Sequence, residues 1–114
     1  MEATPRKIAI IGAGSFGTAL SITLSGRGHE VVIWSREPEI EESISRDHRN
    51  PSYLPDVRLP ESVKCTTVLS KALQGADLVV FATPSHTLRE MARRCKQWMT
   101  GGEIVVSVAK GLEK

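Results

Sequence analysis

Three glycines in the segment IGAGSFGTAL, Gly12, Gly14 and Gly17, follow the spacing G-x-G-x-x-G. Glycines so spaced act through the backbone. The first permits a tight turn, the second lets main chain approach a pyrophosphate, and the third lets a helix pack closely on a strand. The N–H groups around Ser15 and Phe16 would face the anion at a helix N-terminus, where the macrodipole adds about 0.3–1 kcal/mol. A glycine-rich turn without a ligand satisfies the same short pattern, so its setting has to decide. Further along, Trp34-Ser35-Arg36 ends a second apolar run. At this distance from the loop a carboxylate normally takes the ribose hydroxyls of NAD. Ser35 carries none, whereas Arg36 suits a 2′-phosphate through charge-assisted hydrogen bonds and has a plane able to stack on adenine. NADPH is therefore favoured, with NAD left open. The competing reading of Arg36 is a plain surface charge, and Glu37 reads as a helix N-terminal charge.

These residues need elements to position them. Lys7 to Ile11 is almost continuously apolar, as expected of a strand covered on both faces. From Ser15 to Arg27, residues Phe16, Ala19, Leu20, Thr23 and Leu24 recur at three- and four-residue steps and predict a helix face, ended by Gly26 and Gly28. Val31 to Trp34 is a second strand, and Glu37-Pro38-Glu39 starts a helix with Ile40 and Ile44 on its apolar stripe. Residues 50–60 hold three prolines and no period, and read as an ordered loop anchored by Tyr53, Leu54, Val57 and Leu59. Val63 to Thr67 is a short strand, Leu69 to Gln74 a short helix, and Asp77 to Ala82 a third buried strand. Pro84 to Met99 is a helix with Leu88, Met91, Ala92 and Cys95 inward, and Glu103 to Ala109 is the last strand. Strands alternating with helices predict right-handed βαβ units and an α/β, doubly wound, mainly parallel sheet of order 3-2-1-4-5. Ligand chemistry then belongs at the carboxyl ends of the first and fourth strands, beside Gly12 and Thr83. In this setting the glycine loop reads as a pyrophosphate site.

Composition narrows the partners. The 114 residues suit one compact domain, with 40% hydrophobic and 25% charged residues. A net charge of +2 does not suggest a nucleic-acid surface, and Arg89, Arg93, Arg94 and Lys96 read as a solvated helix face. Cys65 and Cys95 are far apart and lack metal-ligand spacing, so no metal is expected; reduced thiols are the default, with a disulfide between them left open. No apolar run approaches the roughly 20 residues of a membrane span. The polar N-terminus lacks the features of a signal peptide, so a cytoplasmic location is expected.

Several segments together resemble the N-terminal domain of bacterial NAD(P)-dependent glycerol-3-phosphate dehydrogenase. They are GAGSFGTAL (12–20), VVIWSREPE (31–39), NPSYLPDVRLP (50–60), ATPSHTLRE (82–90) and AKGLE (109–113). The glycine loop alone is shared by many dehydrogenases; the YLP…LP loop with PSH and KGLE is far more specific.

The resemblance implies a Rossmann-type domain over residues 1–114 that holds the cofactor of an oxidoreductase. That enzyme would interconvert dihydroxyacetone phosphate and sn-glycerol 3-phosphate for glycerophospholipid synthesis. It puts Ser15 and Phe16 on the cofactor's phosphate and ribose side, Arg36 at the adenosine end, and Tyr53 at the edge of the adenine pocket. Thr83 and Pro84 would line the nicotinamide half, and Lys110 would sit between nicotinamide and substrate. His86, in a first helical turn, reads as a capping or surface residue rather than a catalytic acid. Family members continue into a helical domain that supplies the general-base lysine, and a homodimer is the expected state of full-length members. The sequence stops at Lys114, so the expectation is cofactor binding without turnover and no catalytic residue of its own. Two other readings share the loop: another NADP-dependent reductase of hydroxyacids or ketopantoate, and a non-catalytic NADPH sensor module.

Overall fold

The computed structural model describes residues 6–108. Within them β1 (Lys7–Ile11) leads to α1 (Ser15–Gly26), β2 (Glu30–Trp34), α2 (Pro38–Asp47) and β3 (Lys64–Thr66). Then follow α3 (Leu69–Leu73), β4 (Leu78–Phe81), α4 (Ser85–Lys96) and β5 (Ile104–Ser107). The five strands form one parallel sheet in the order β3-β2-β1-β4-β5, the topology expected from the alternation of elements.

The strands alternate their side chains between two cores. On one face Ile8, Ile10, Val31, Ile33 and Val80 pack with Ile40 and Ile44 of α2 and with Leu59. On the other, Ala9, Ile11, Val32, Trp34, Val79 and Phe81 pack with Leu69, Leu73, Met91 and Cys95 of α3 and α4. Both faces of the inner strands are covered, which explains why they read as unbroken apolar runs rather than alternating ones. Cys65 belongs to the first core and Cys95 to the second, so the sheet stands between the two free thiols.

Several local expectations fail for one reason: periodicity finds apolar residues, whereas the burying face is chosen by how closely two backbones approach. In α1 the fully buried residues are Gly17, Thr18 and Ser21, while Phe16, Ala19 and Thr23 are exposed. Small residues bring this helix against the sheet, and Phe16 turns to the open end. In α4 Met91 and Cys95 are buried but Ala92 is exposed. The 50–60 loop is anchored by Leu59 and by fully buried Asn50, whereas Tyr53 and Val57 are exposed. Helix α4 is also shorter than predicted, beginning after Pro84, whose extended ψ of 148° precedes the first turn, and ending at Lys96.

Strand β5 lies at the sheet edge, paired on one side with β4. Its Ile104, Val105 and Val106 are 58%, 52% and 41% exposed, far from the burial of the other strands. Among the described residues, no helix is long and apolar enough to cross a membrane.

Candidate functional site

The carboxyl ends of three strands are flush. Ile11 pairs with Trp34 across β1–β2 and with Phe81 across β1–β4. The next residues, Gly12, Ser35 and Ala82, therefore leave the sheet together. The ladder persists for one bond on each side: Gly12 N–H donates to the Trp34 carbonyl at 3.0 Å, and Ala82 N–H to the Ile11 carbonyl at 2.9 Å. Here the chain order reverses about β1, and the diverging loops leave a groove of about 860 Å³. Volume and position match a ligand crevice at the switch point of an open parallel sheet.

Two of the three glycines are fixed by sterics. Gly12 has φ +128°, and a Cβ there would stand 2.8 Å from the Ala82 carbonyl oxygen. A Cβ on Gly17 would meet the Gly12 carbonyl oxygen at 2.5 Å and Ile10 Cγ2 at 3.3 Å. Gly17 thus sets the distance between α1 and β1, and it packs beneath the groove rather than lining it. Gly14 differs: it has ordinary backbone angles and nothing within 4 Å of a Cβ position. Its lack of a side chain serves space in the groove rather than the protein's own packing. Gly14 is also the N-cap of α1, where no side chain caps the helix and no acidic residue occupies the first turn. An anion is the complement of such an end.

The opposite wall comes from Thr83 and Pro84 after β4. Thr83 Oγ1 is buried without a hydrogen-bond partner among the described residues, in a residue that lines this groove. A buried hydroxyl left unpaired is costly unless something outside the protein satisfies it. His86, in the first turn of α4, lines the rim and is exposed; it makes no capping bond.

At the β2 end, buried Ser35 uses its hydroxyl locally. It accepts from Glu37 N–H at 3.1 Å and lies 3.3 Å from the Glu37 carbonyl. That closes the turn into α2 and leaves Arg36 exposed on the groove wall, its guanidinium carbon 5.9 Å from the centre of the Trp34 ring. The edge of the Trp34 ring is anchored by its indole N–H, which donates to the Thr67 carbonyl at 2.9 Å.

Tyr53 reaches the groove from the proline-rich loop. Its position depends on Asn50, which sequence reasoning passed over. The Asn50 amide donates to the Ala13 carbonyl at 2.8 Å and to Thr18 Oγ1 at 3.0 Å, and accepts the Ser52 and Tyr53 N–H groups at 3.1 Å each. Both donors and both acceptor positions of the side chain are used. The Asn-Pro dipeptide after a helix signals such a turn, but no local signal names its partner in the glycine loop. Gly12, Gly14, Ser15, Phe16, Arg36, Tyr53, Thr83 and Pro84 thus line one groove, with Gly17 beneath it. Lys110 and the KGLE segment lie outside the described residues. Among those described, no group of three His, Cys, Asp or Glu side chains is arranged to hold a metal ion.

Residues 7–114 match the model of the NAD-dependent glycerol-3-phosphate dehydrogenase N-terminus. A glycerol-3-phosphate dehydrogenase [NAD(P)+] of Anaeromyxobacter dehalogenans is 41% identical over 107 residues, which cover 94% of this chain and 32% of that protein. One of Stenotrophomonas maltophilia is 42% identical over 113 residues, covering 99% and 33%. The crystal structure of a glycerol-3-phosphate dehydrogenase from Coxiella burnetii superposes with a TM-score of 0.88 at 33% identity, covering 96% of this chain and 34% of that one. The chain therefore spans about a third of the length of these relatives. With the match extending over nearly every residue, the chain belongs to the family of the NAD-dependent glycerol-3-phosphate dehydrogenase N-terminus.

Proposed function

We propose that this chain is the dinucleotide-binding part of an enzyme that interconverts dihydroxyacetone phosphate and sn-glycerol 3-phosphate, and that it favours NADPH over NADH. The observation that carries the reading is the groove itself. An uncapped helix N-terminus and the open Gly14 stand on one wall, and the unpaired Thr83 hydroxyl on the other. Those features fit a pyrophosphate and a polar ring system along the sheet edge. Main chain around Ser15 and Phe16 would hold the phosphates, Arg36 and Tyr53 the adenosine end, and Thr83 and Pro84 the nicotinamide half. Lys110 would contact nicotinamide and the substrate's phosphate or hydroxyl. When bound, the dinucleotide supplies or accepts the hydride.

This chain's own residues then orient and enclose. The titratable side chains on the groove wall are Arg36, Glu37, Tyr53 and His86, and no two of them share a hydrogen bond among the described residues. That the 114 residues alone bind cofactor without turning substrate over is part of the same proposal. The preference for NADPH rests on Ser35, whose hydroxyl is engaged by the Glu37 backbone, and on exposed Arg36. Titrating NADPH and NADH against the wild-type chain and Arg36→Ala tests it. A selective loss of NADPH affinity is expected; equal weakening of both would remove the 2′-phosphate role. The place of this activity in glycerophospholipid synthesis, in the cytoplasm, is part of the same proposal.

A further inference from the structure

Arg94 lies in the last turn of α4, in a basic run that reads as solvated surface. Its guanidinium instead turns back over Trp34, 5.8 Å from the ring centre, where Arg36 already stands at 5.9 Å. Both arginines also reach one sulfur: Arg36 Nη2 lies 3.7 Å from Met91 Sδ, and Arg94 Nη1 lies 3.8 Å from it. Two cations thus converge on a single apolar platform. Among the described residues the ion pairs involve Arg46 and Arg58, so neither Arg36 nor Arg94 is matched by a carboxylate. Glu37 beside Arg36 and Glu90 one turn before Arg94 both stay beyond ion-pair distance. The ring face and the sulfur hold the guanidiniums in place, with no carboxylate of the described residues at ion-pair distance from either.

We propose that Arg94 is the second arm of a two-arginine clamp for the 2′-phosphate of NADPH, with Trp34 as its floor. The inference rests on the reading of the groove as an NADPH site, and adds to it a residue that determines specificity. A dianion suits the pair: Arg94 is not on the groove wall itself but shares the Trp34 ring with Arg36, which is, and the guanidinium N–H groups not turned to Met91 are free in number to donate charge-assisted hydrogen bonds to one phosphate. A ribose hydroxyl carries no charge to offset the pair, so NADH gains little from Arg94.

The test is to titrate the protein, as wild type, Arg36→Ala, Arg94→Ala and Arg94→Gln, with NADPH, NADH, adenosine 2′,5′-bisphosphate and 5′-AMP. Arg94→Ala should weaken the two 2′-phosphorylated ligands about tenfold and leave NADH and 5′-AMP within about twofold. Arg94→Gln keeps the aliphatic stem over Trp34 and should show the same selective loss, with an unchanged melting temperature. If either variant weakens phosphorylated and unphosphorylated ligands alike, Arg94 is only structural and the clamp is wrong. If Arg36→Ala abolishes the preference while both Arg94 variants keep it, the clamp fails and the NADPH reading stands. A wild type without any preference overturns both.

Discussion

Asn50 and Ala13 are joined by a 2.8 Å hydrogen bond that ties the proline-rich loop to the glycine loop. Asn50 itself is fully buried, and the same amide fixes the Thr18 hydroxyl and the Tyr53 backbone. Removing it would leave the Ala13 carbonyl with only the long 3.4 Å bond from the Thr18 hydroxyl. Asn50→Ala should cost about 1–3 kcal/mol of stability, the desolvation cost of an unpaired buried group. It should also weaken cofactor binding, because both loops line the groove. Denaturant unfolding and NADPH titration read the two effects; unchanged stability would show that the bond is dispensable.

Thr83 presents the opposite case, a buried hydroxyl with no hydrogen-bond partner among the described residues. Thr83→Val removes the hydroxyl and nearly keeps the shape. Stability should hold or rise slightly, while NADPH affinity falls by roughly 0.5–1.5 kcal/mol, the net value of one hydrogen bond. A parallel drop in both quantities would mean that the hydroxyl serves the fold.

The two thiols are shielded differently from any reactive cysteine. Burial pushes Cys65 up to about 12, with the Glu41 carboxylate adding to the shift and a Thr66 backbone hydrogen bond opposing it. Burial also pushes Cys95 up to about 11, against the opposing charge of Arg94. A raised pKa keeps the folded state protonated where the unfolded chain has already lost its proton. Stability from both groups is therefore full below about pH 9 and is lost as pH rises through about 11 and 12. Alkylation at pH 8 should be slow until the protein is unfolded, as mass spectrometry can follow. Rapid labelling of native protein at that pH would contradict the burial.

Strand β5 offers Ile104, Val105 and Val106 to solvent along an edge that no strand of the described residues pairs. Exposed apolar edges pair with further copies. The 114-residue chain should self-associate with rising concentration, and Val105→Lys should shift it toward monomer in sedimentation velocity. A monomer at all concentrations would show that the edge is protected.

Much of this was legible in the residues themselves. Covered strands betray themselves as apolar runs, and Gly12 and Gly17 announce close approach because no other residue fits. Sequence order then dictates the sheet, since right-handed crossovers leave few alternatives. What escaped is what depends on residues distant in the chain. Asn50 meets Ala13, and Arg94 meets Arg36 over Trp34, only after β1, β2 and α4 have been assembled. The α1 face was legible only in part: Leu20 and Leu24 do pack against the core, but the fully buried stripe is Gly17, Thr18 and Ser21, which carries little hydrophobic signal.

The claim on which everything else rests is that the groove holds a dinucleotide through the glycine loop, and Gly14 separates that claim from fold stability. A Cβ there meets nothing in the protein, whereas one on Gly17 strikes the Gly12 carbonyl at 2.5 Å. NADPH should bind the wild-type chain saturably at one site. Gly14→Ala should keep the melting behaviour within about 1 kcal/mol and lose that binding, while Gly17→Ala should lose stability first. NADPH binding that survives Gly14→Ala undiminished, or no saturable binding to the wild type, would contradict the account.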